Sequence, residues 1–320
     1  MTSPQVHPLY RPGSVVALLL LITGWRVLAL AVYPFDLYPD EVQYWDWSRE
    51  LAFGYFSKPP MVAWLIGLGT AVAGTTEFGI KLAAPFIHLV TALLVWVLAR
   101  DLFGPRAGFW SALTYALLPA VSLSSLIIST DPPMMMFWAA ALIALSRALK
   151  SGGKAGWWLL AGAAFGLGLM SKYTIIAVPV GLVVYLAWSR ELRYLRSPWP
   201  WAALGLGLLL FVPNVLWNAG HHWVSYVHTG DNANLSGPLL NPDEMIEWLG
   251  GQMGVMGPFL FPVLAWLMLH SRPLGRDPRM RFMLSFVLPL FLVILTQSLL
   301  SRANANWAAP IYLTGTIAVT

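Results

Sequence analysis

The sequence predicts an all-α, polytopic membrane protein, and three observations carry that expectation. Hydrophobic residues fill 58% of the 320 positions and charged residues only 10%, more apolar surface than one soluble core absorbs. The apolar residues are gathered into runs near 14–33, 79–99, 107–128, 132–149, 156–170, 174–188, 200–217, 247–269 and 282–300. Most of these are long enough to cross roughly 30 Å of hydrocarbon, with the 15-residue runs at the margin. If the chain starts in the cytoplasm and alternates, the inner segments collect Arg11, Arg100, Arg106, Arg147, Lys150, Lys154, Arg190, Arg193, Arg196, Arg272, Arg276, Arg279 and Arg281. That asymmetry is what the positive-inside rule demands of a correct assignment.

Taken in chain order, the first run could pass for a secretory signal at Ala29-Leu30-Ala31. Trp25 and Arg26 interrupt it and many spans follow, so it reads as a membrane helix. Residues 34–78 then form a first outer loop with two helices of its own. Asp40 and Glu41 open a Trp- and Tyr-rich segment over 40–53, as carboxylates do at a helix start. Met61 to Ala73 is apolar but too short to span, and Pro59-Pro60 suits a helix start, so it is expected to lie in the interface. Short basic connections alternate with the following runs until a second outer loop at 218–246. A tenth apolar run begins at Ala308 and stops at Thr320 before it can span, so a further C-terminal part is expected. The expectation is one transmembrane domain over 1–320 with nine to ten spans, no sequence repeat and no soluble domain.

Composition also excludes chemistry. Cysteine is absent, which removes disulfides and Cys-ligated metal sites. The formal charge of +5 is arranged around the membrane, which points to membrane lipids rather than nucleic acid as partners. Acidic residues collect outside under the same topology, leaving only Asp101, Glu191 and Asp277 within. The chemistry is therefore expected on the outer face.

Two outer motifs hold the candidate acids. In "LYPDEVQYWDWSRE", Asp40 is either a helix cap or a site carboxylate, with Glu41 beside it, and Tyr44, Trp45 and Trp47 are interface anchors by their type. In "LIISTDPPMMMFW", Asp131 closes one span while Pro132-Pro133 open the next; it is again either a cap or an acid that needs a cation, a metal or a polar substrate. Three cations defy the inside bias at outer ends of apolar segments: Lys58, Lys172 and Arg302. Each alone can snorkel to headgroups, but together they ask for an anion, and a lipid phosphate supplies one. The second loop adds His221, His222, His228, Asp231, Asn232 and Asn234, read as a mobile polar cover with Trp223 and Tyr226 offering ring faces. His222 with an acid such as Asp131 is the candidate pair for a divalent metal. Asn304, Asn306 and Trp307 stand at the end of a span as interface residues or donor contacts.

These residues resemble a known family. "YPDEVQYWDWSRELAFGYFSKPPMVAWL", "STDPPMMMFW" and "GLGLMSKYT" are similar to the bacterial branch of the family 39, protein O-mannosyltransferase-like glycosyltransferases of the GT-C fold, which includes the aminoarabinose transferases of lipid A. "NVLWNAGHHWVSYVHTG", "GQMGVMGPFLF" and "RANANWAAPIY" resemble the galacturonosyl-type members, so the likeness covers nearly the whole chain. The resemblance implies a GT-C multi-helix bundle in a bacterial inner membrane. It implies transfer of a sugar from a polyprenyl phosphate, on the periplasmic or exterior side, to a glycolipid such as lipid A or its core, another glycan or a protein. Asp40 would be the general base or organise the acceptor, with Tyr44 nearby. Lys58 would hold the lipid phosphate, and Asp131 would support the site or a divalent metal. Two departures stand out: Ser57 precedes Lys58 where the aminoarabinose relatives carry an acid of a metal site, and Gln43 replaces an Arg of theirs.

The chemistry agrees with the residues on its own terms. A hydroxyl attacking an anomeric carbon needs a carboxylate to take its proton, while a departing phosphate needs charge neutralisation rather than an acid. The rival reading is a transporter of a polar or anionic lipid-linked substrate, since intramembrane charges also mark carriers; carriers usually show repeats and broken midplane helices.

Overall fold

The computed structural model describes residues 7–32, 36–233 and 240–320, and every regular element in them is helical. In chain order they are α1 (Pro12–Val32), α2 (Pro39–Ser48), α3 (Met61–Ala73), α4 (Glu77–Lys81), α5 (Ala83–Phe103), α6 (Pro105–Leu117), α7 (Pro119–Ser124), α8 (Asp131–Lys150) and α9 (Ala155–Leu169). There follow α10 (Ala177–Trp188), α11 (Pro198–Gly220), α12 (Val224–Ala233), α13 (Pro242–Met256), α14 (Leu260–Leu269), α15 (Ser271–Leu274), α16 (Pro278–Leu300) and α17 (Ala309–Val319), with short 3-10 turns between some of them.

Proline punctuates this order. It occupies one of the first two positions of α2, α6, α7, α8, α11, α13, α16 and α17, where its missing N–H costs no helical bond and its φ is already helical. Five stretches are long and apolar enough to cross a membrane: Pro12–Val32, Glu77–Phe103, Asp131–Lys150, Pro198–Gly220 and Pro278–Leu300. The other apolar runs are shorter or broken. Run 107–128 divides into α6 and α7 at Leu118-Pro119, and run 247–269 into α13 and α14, with Gly257 at φ 102° in the break.

Packing follows the logic of an apolar solvent, where close approach of small residues replaces the hydrophobic drive. Gly162 and Gly166 of α9 lie directly on the backbone of Ala203 and Gly207 in α11, so that a Cβ at either glycine would overlap the opposing helix. The main core joins α5, α6, α8, α9, α16 and α17 around Trp138, Tyr115 and Phe286. At the basic end, the three acids expected inside each find an arginine: Asp101 with Arg147 at 2.8 Å, Glu191 with Arg193 at 2.6 Å and Asp277 with Arg279 at 2.6 Å.

The first loop is clamped to the bundle at the opposite end. Tyr44, Val62, Ile66, Ile80, Ala84 and Ile128 form a second, smaller core under α2 and α3. Both helices occur where the sequence placed them, α2 ending at Ser48 rather than residue 53. Within this cluster Glu41 and Lys81, each 1% exposed, pair at 3.4 Å. The Glu41 carboxylate also accepts from the backbone N–H of Tyr38 at 2.9 Å and of Ile128 at 2.8 Å. Lys81 donates to the Asp36 carbonyl at 3.1 Å.

The described part of the second loop is largely helical. Residues 224–233 form α12, and its Ser225 hydroxyl donates to the Tyr55 carbonyl of the first loop. Asn214 of α11 donates to the Phe53 carbonyl at 2.8 Å, so α11 and α12 both hold the first loop. Asn234 lies outside the described residues.

Candidate functional site

Three segments deliver the charged groups to one place. α8 begins at Asp131, so the carboxylate sits at a helix N-terminus, where the backbone dipole favours a negative charge. The break after α9 presents Lys172, whose ammonium reaches the Asp131 carboxylate at 2.6 Å, and the pair is largely buried. The turn before α17 carries Asn306, whose amide donates to the other Asp131 oxygen at 3.0 Å.

This ion pair stands between two cavities. One, of about 580 Å³, is lined by Tyr38, Tyr115, Ser129, Asp131, Asn306 and Tyr312 among mostly apolar walls. The other, of about 290 Å³, is lined by Lys58, Lys172, Tyr173, Asn232, Gln297 and Trp307. Asn306 and Trp307 are consecutive yet line different cavities, so this turn is part of the partition between them.

Lys58 is one of two lysines that line the smaller cavity. Burial first, and then the nearby Lys172 ammonium, pull it below the ordinary lysine value; Asp40 and Asp131 pull the other way without restoring it. An ammonium in that position gains from a further anion. Asp40, exposed at the start of α2, accepts from the Tyr44 hydroxyl at a long 3.4 Å. Burial, followed by the Asp40 and Asp131 charges, holds the Tyr44 phenol above its usual range, so it stays a proton-bearing donor toward Asp40. Tyr44 is 2% exposed and packs on Trp47, which stacks on Tyr55 at 4.8 Å. It thus stands behind Asp40 as a buried support and lines neither cavity, where the sequence also allowed it a substrate contact.

The remaining candidates divide. Asp40, Lys58, Asp131, Lys172 and Asn306 share one electrostatic and hydrogen-bonded neighbourhood, Asp40 from outside both cavities. Glu41 leaves the catalytic set, because its carboxylate is sealed beneath α2 with Lys81 and two backbone N–H groups. Arg302 is exposed and lines neither cavity, although its carbonyl accepts from Gln297 at 3.3 Å. His222 is exposed in a left-handed turn at the α11–α12 corner, with φ 55°, and also lines neither cavity.

The divalent-metal expectation does not fit these residues. Both Asp131 oxygens are engaged, one by an ammonium that a metal would have to displace, and Ser57 offers no charge beside Lys58. Among the described residues no three His, Asp or Glu side chains come together as a metal site. Sequence reasoning passed over Tyr38, Tyr115 and Gln297. Tyr38 has a signal in its place just ahead of the Pro-Asp-Glu motif; Tyr115 and Gln297 sit inside apolar runs and have none.

The profile of the family described as dolichyl-phosphate-mannose-protein mannosyltransferase matches residues 57–217, half of the chain. The chain belongs to this family. It is therefore a multi-pass membrane protein of the GT-C glycosyltransferase group. Its curated relatives include the lipid A galacturonosyltransferase RgtD of Rhizobium johnstonii, 34% identical over 96% of this chain and 64% of the relative. The undecaprenyl phosphate-α-4-amino-4-deoxy-L-arabinose arabinosyl transferase of Pseudomonas aeruginosa is 31% identical over 55% of this chain and 35% of its own length. The chain thus spans less than two thirds of these relatives. Among solved structures, that of ArnT from Cupriavidus metallidurans bound to undecaprenyl phosphate superimposes with a TM-score of 0.68, at 21% identity, over 95% of this chain and 58% of that one. The shared architecture is that of the GT-C transferases rather than of a carrier.

Proposed function

We propose that this family member transfers a sugar from a polyprenyl-phosphate donor to a lipid acceptor on the periplasmic face of a bacterial inner membrane. The observation that carries the reading is the partition: an under-compensated Lys58 on one side, the Asp131–Lys172 pair as the wall, and Asp40 electrostatically coupled to Lys58. The donor phosphate occupies the smaller cavity, with Lys58 and Lys172 supplying charge-assisted hydrogen bonds that strengthen where water is scarce. The acceptor occupies the larger cavity. Its hydroxyl oxygen forms the new bond to the anomeric carbon and passes its proton to Asp40. The bond from that carbon to the phosphate oxygen breaks, and polyprenyl phosphate leaves with the electron pair, its charge met by the lysines.

The likeness to RgtD over 96% of the chain supports lipid A as the acceptor and a uronic acid as the sugar. Proteoliposomes holding the full chain, an undecaprenyl-phosphate sugar and lipid A test the reading. Glycosylated lipid A should form with the wild type and not with Asp40→Asn. Absence of transfer from every polyprenyl-phosphate sugar offered would refute it.

A further inference from the structure

Arg26 is a cation that the proposed reaction does not use. It lies six residues before the end of α1, in the last third of that helix. It is only 7% exposed. One of its N–H groups donates to the Ala116 carbonyl in the last turn of α6, close to the break ahead of Pro119. A guanidinium carries five donors, and among the described residues no carboxylate pairs with this one. A buried charge without a counter-charge is costly at membrane depth, so the site is incomplete as it stands.

The guanidinium lines a cavity of about 540 Å³ between α1 and the α6–α7 break. Leu21, Trp25, Leu117 and Leu126 supply apolar walls, and Ser122 adds a hydroxyl. Leu21 and Trp25 are each 70% exposed, so the apolar side opens to the surroundings of the bundle. On its other side α7 turns Val121, Leu123 and Ser124 toward the larger cavity that holds Asp131. One short helix therefore separates the groove from the acceptor cavity.

We propose that this groove seats a phosphorylated lipid acceptor, its phosphate on Arg26 and Ser122 and its acyl chains along Leu21, Trp25 and Leu126. The sugar head then reaches across α7 toward Asp40 and Asp131. Charge complementarity selects the occupant: a guanidinium fork matches phosphate oxygens, and the walls match hydrocarbon. The word acceptor rests on the proposed function; the phosphate site itself does not.

The test uses the full chain in detergent, without donor, and native mass spectrometry of bound diphosphoryl lipid A, its dephosphorylated form and phosphatidylglycerol. The wild type should prefer phosphorylated over dephosphorylated lipid A by about 10-fold or more, the scale of a charge-assisted pair. Arg26→Gln, which keeps an N–H for the Ala116 carbonyl but drops the charge, should erase that preference, and Arg26→Lys should keep part of it. Ser122→Trp fills the groove while leaving Arg26 in place and should weaken both forms, which decides the matter if Arg26→Gln does not fold. An undiminished preference in Arg26→Gln, or unchanged binding in Ser122→Trp, overturns the site. Phosphatidylglycerol binding as tightly as lipid A overturns the acceptor assignment in favour of a bulk phospholipid. Charge-dependent binding with no sugar transfer upholds the groove and defeats the transferase reading; transfer with an unchanged acceptor KM in Arg26→Gln does the reverse.

Discussion

Removing one partner of the Asp131–Lys172 pair should cost far more than removing both. The two charges meet at 2.6 Å, with side-chain exposures of 11% and 16%. At an effective dielectric near 20, Coulomb attraction at that distance is about 6 kcal/mol before desolvation is subtracted. Lys172→Met leaves Asp131 buried with Asn306 as its remaining hydrogen-bond donor, and truncating one side of such a pair costs about 3–5 kcal/mol. Asp131→Asn strands the ammonium instead, at a similar cost. The double variant Asp131→Asn/Lys172→Met buries no lone charge, so its loss should fall below the sum of the singles by about 2 kcal/mol or more. Denaturation in mixed detergent micelles, followed by tryptophan fluorescence, gives the three free-energy differences of the cycle. Additive singles, with a coupling within about 0.5 kcal/mol, would mean that the pair is not formed and that the partition between the cavities is misread. Activity separates the roles. The double variant should stay folded yet bind donor poorly, since Lys172 is gone.

Asp40→Asn keeps shape but cannot take a proton, so single-turnover transfer should fall by about 100-fold or more while donor binding holds; near-normal transfer would move the base elsewhere. Because the Lys58 ammonium is held below its ordinary value, it deprotonates at lower pH than a free lysine. Donor binding should therefore fall on the alkaline side, and Lys58→Arg should shift that limb upward in a pH titration of donor affinity. Glu41→Gln removes the buried charge that Lys81 and the Tyr38 and Ile128 N–H groups share, so folded yield should drop in size-exclusion profiles. The folded fraction should retain most of its turnover per molecule, and a loss of turnover in well-folded Glu41→Gln would return Glu41 to the catalytic set.

What the sequence disclosed depended on how local each signal was. The helical bundle, the two first-loop helices and the shared neighbourhood of Asp40, Lys58, Asp131 and Lys172 were legible, because composition, proline placement and charges against the bias are read residue by residue. Helix geometry favours Asp40 over Glu41 as the base, since adjacent helical residues point about 100° apart, but it does not say where Glu41 goes. Glu41 is settled by Lys81, forty positions away, and by the Ile128 backbone, neither of which leaves a mark in the motif. Run 107–128 reads as one span because apolar content hides the α6–α7 break, although Pro119 marks the place. Arg302 and His222 looked like site residues by type and end position. Which way a turn directs a side chain is a tertiary outcome: theirs, like that of Asp40, line neither cavity, but unlike Asp40 they are not among the charges acting on Lys58.

The partition at Asn306 and Trp307 also bears on the stereochemistry of the proposed transfer. With a chamber on each side, the proposed donor and acceptor would be held at once, and the nucleophile would approach the ring carbon from the face opposite the leaving group. If the proposed transfer proceeds in one displacement, the anomeric configuration of the sugar would be inverted in the product.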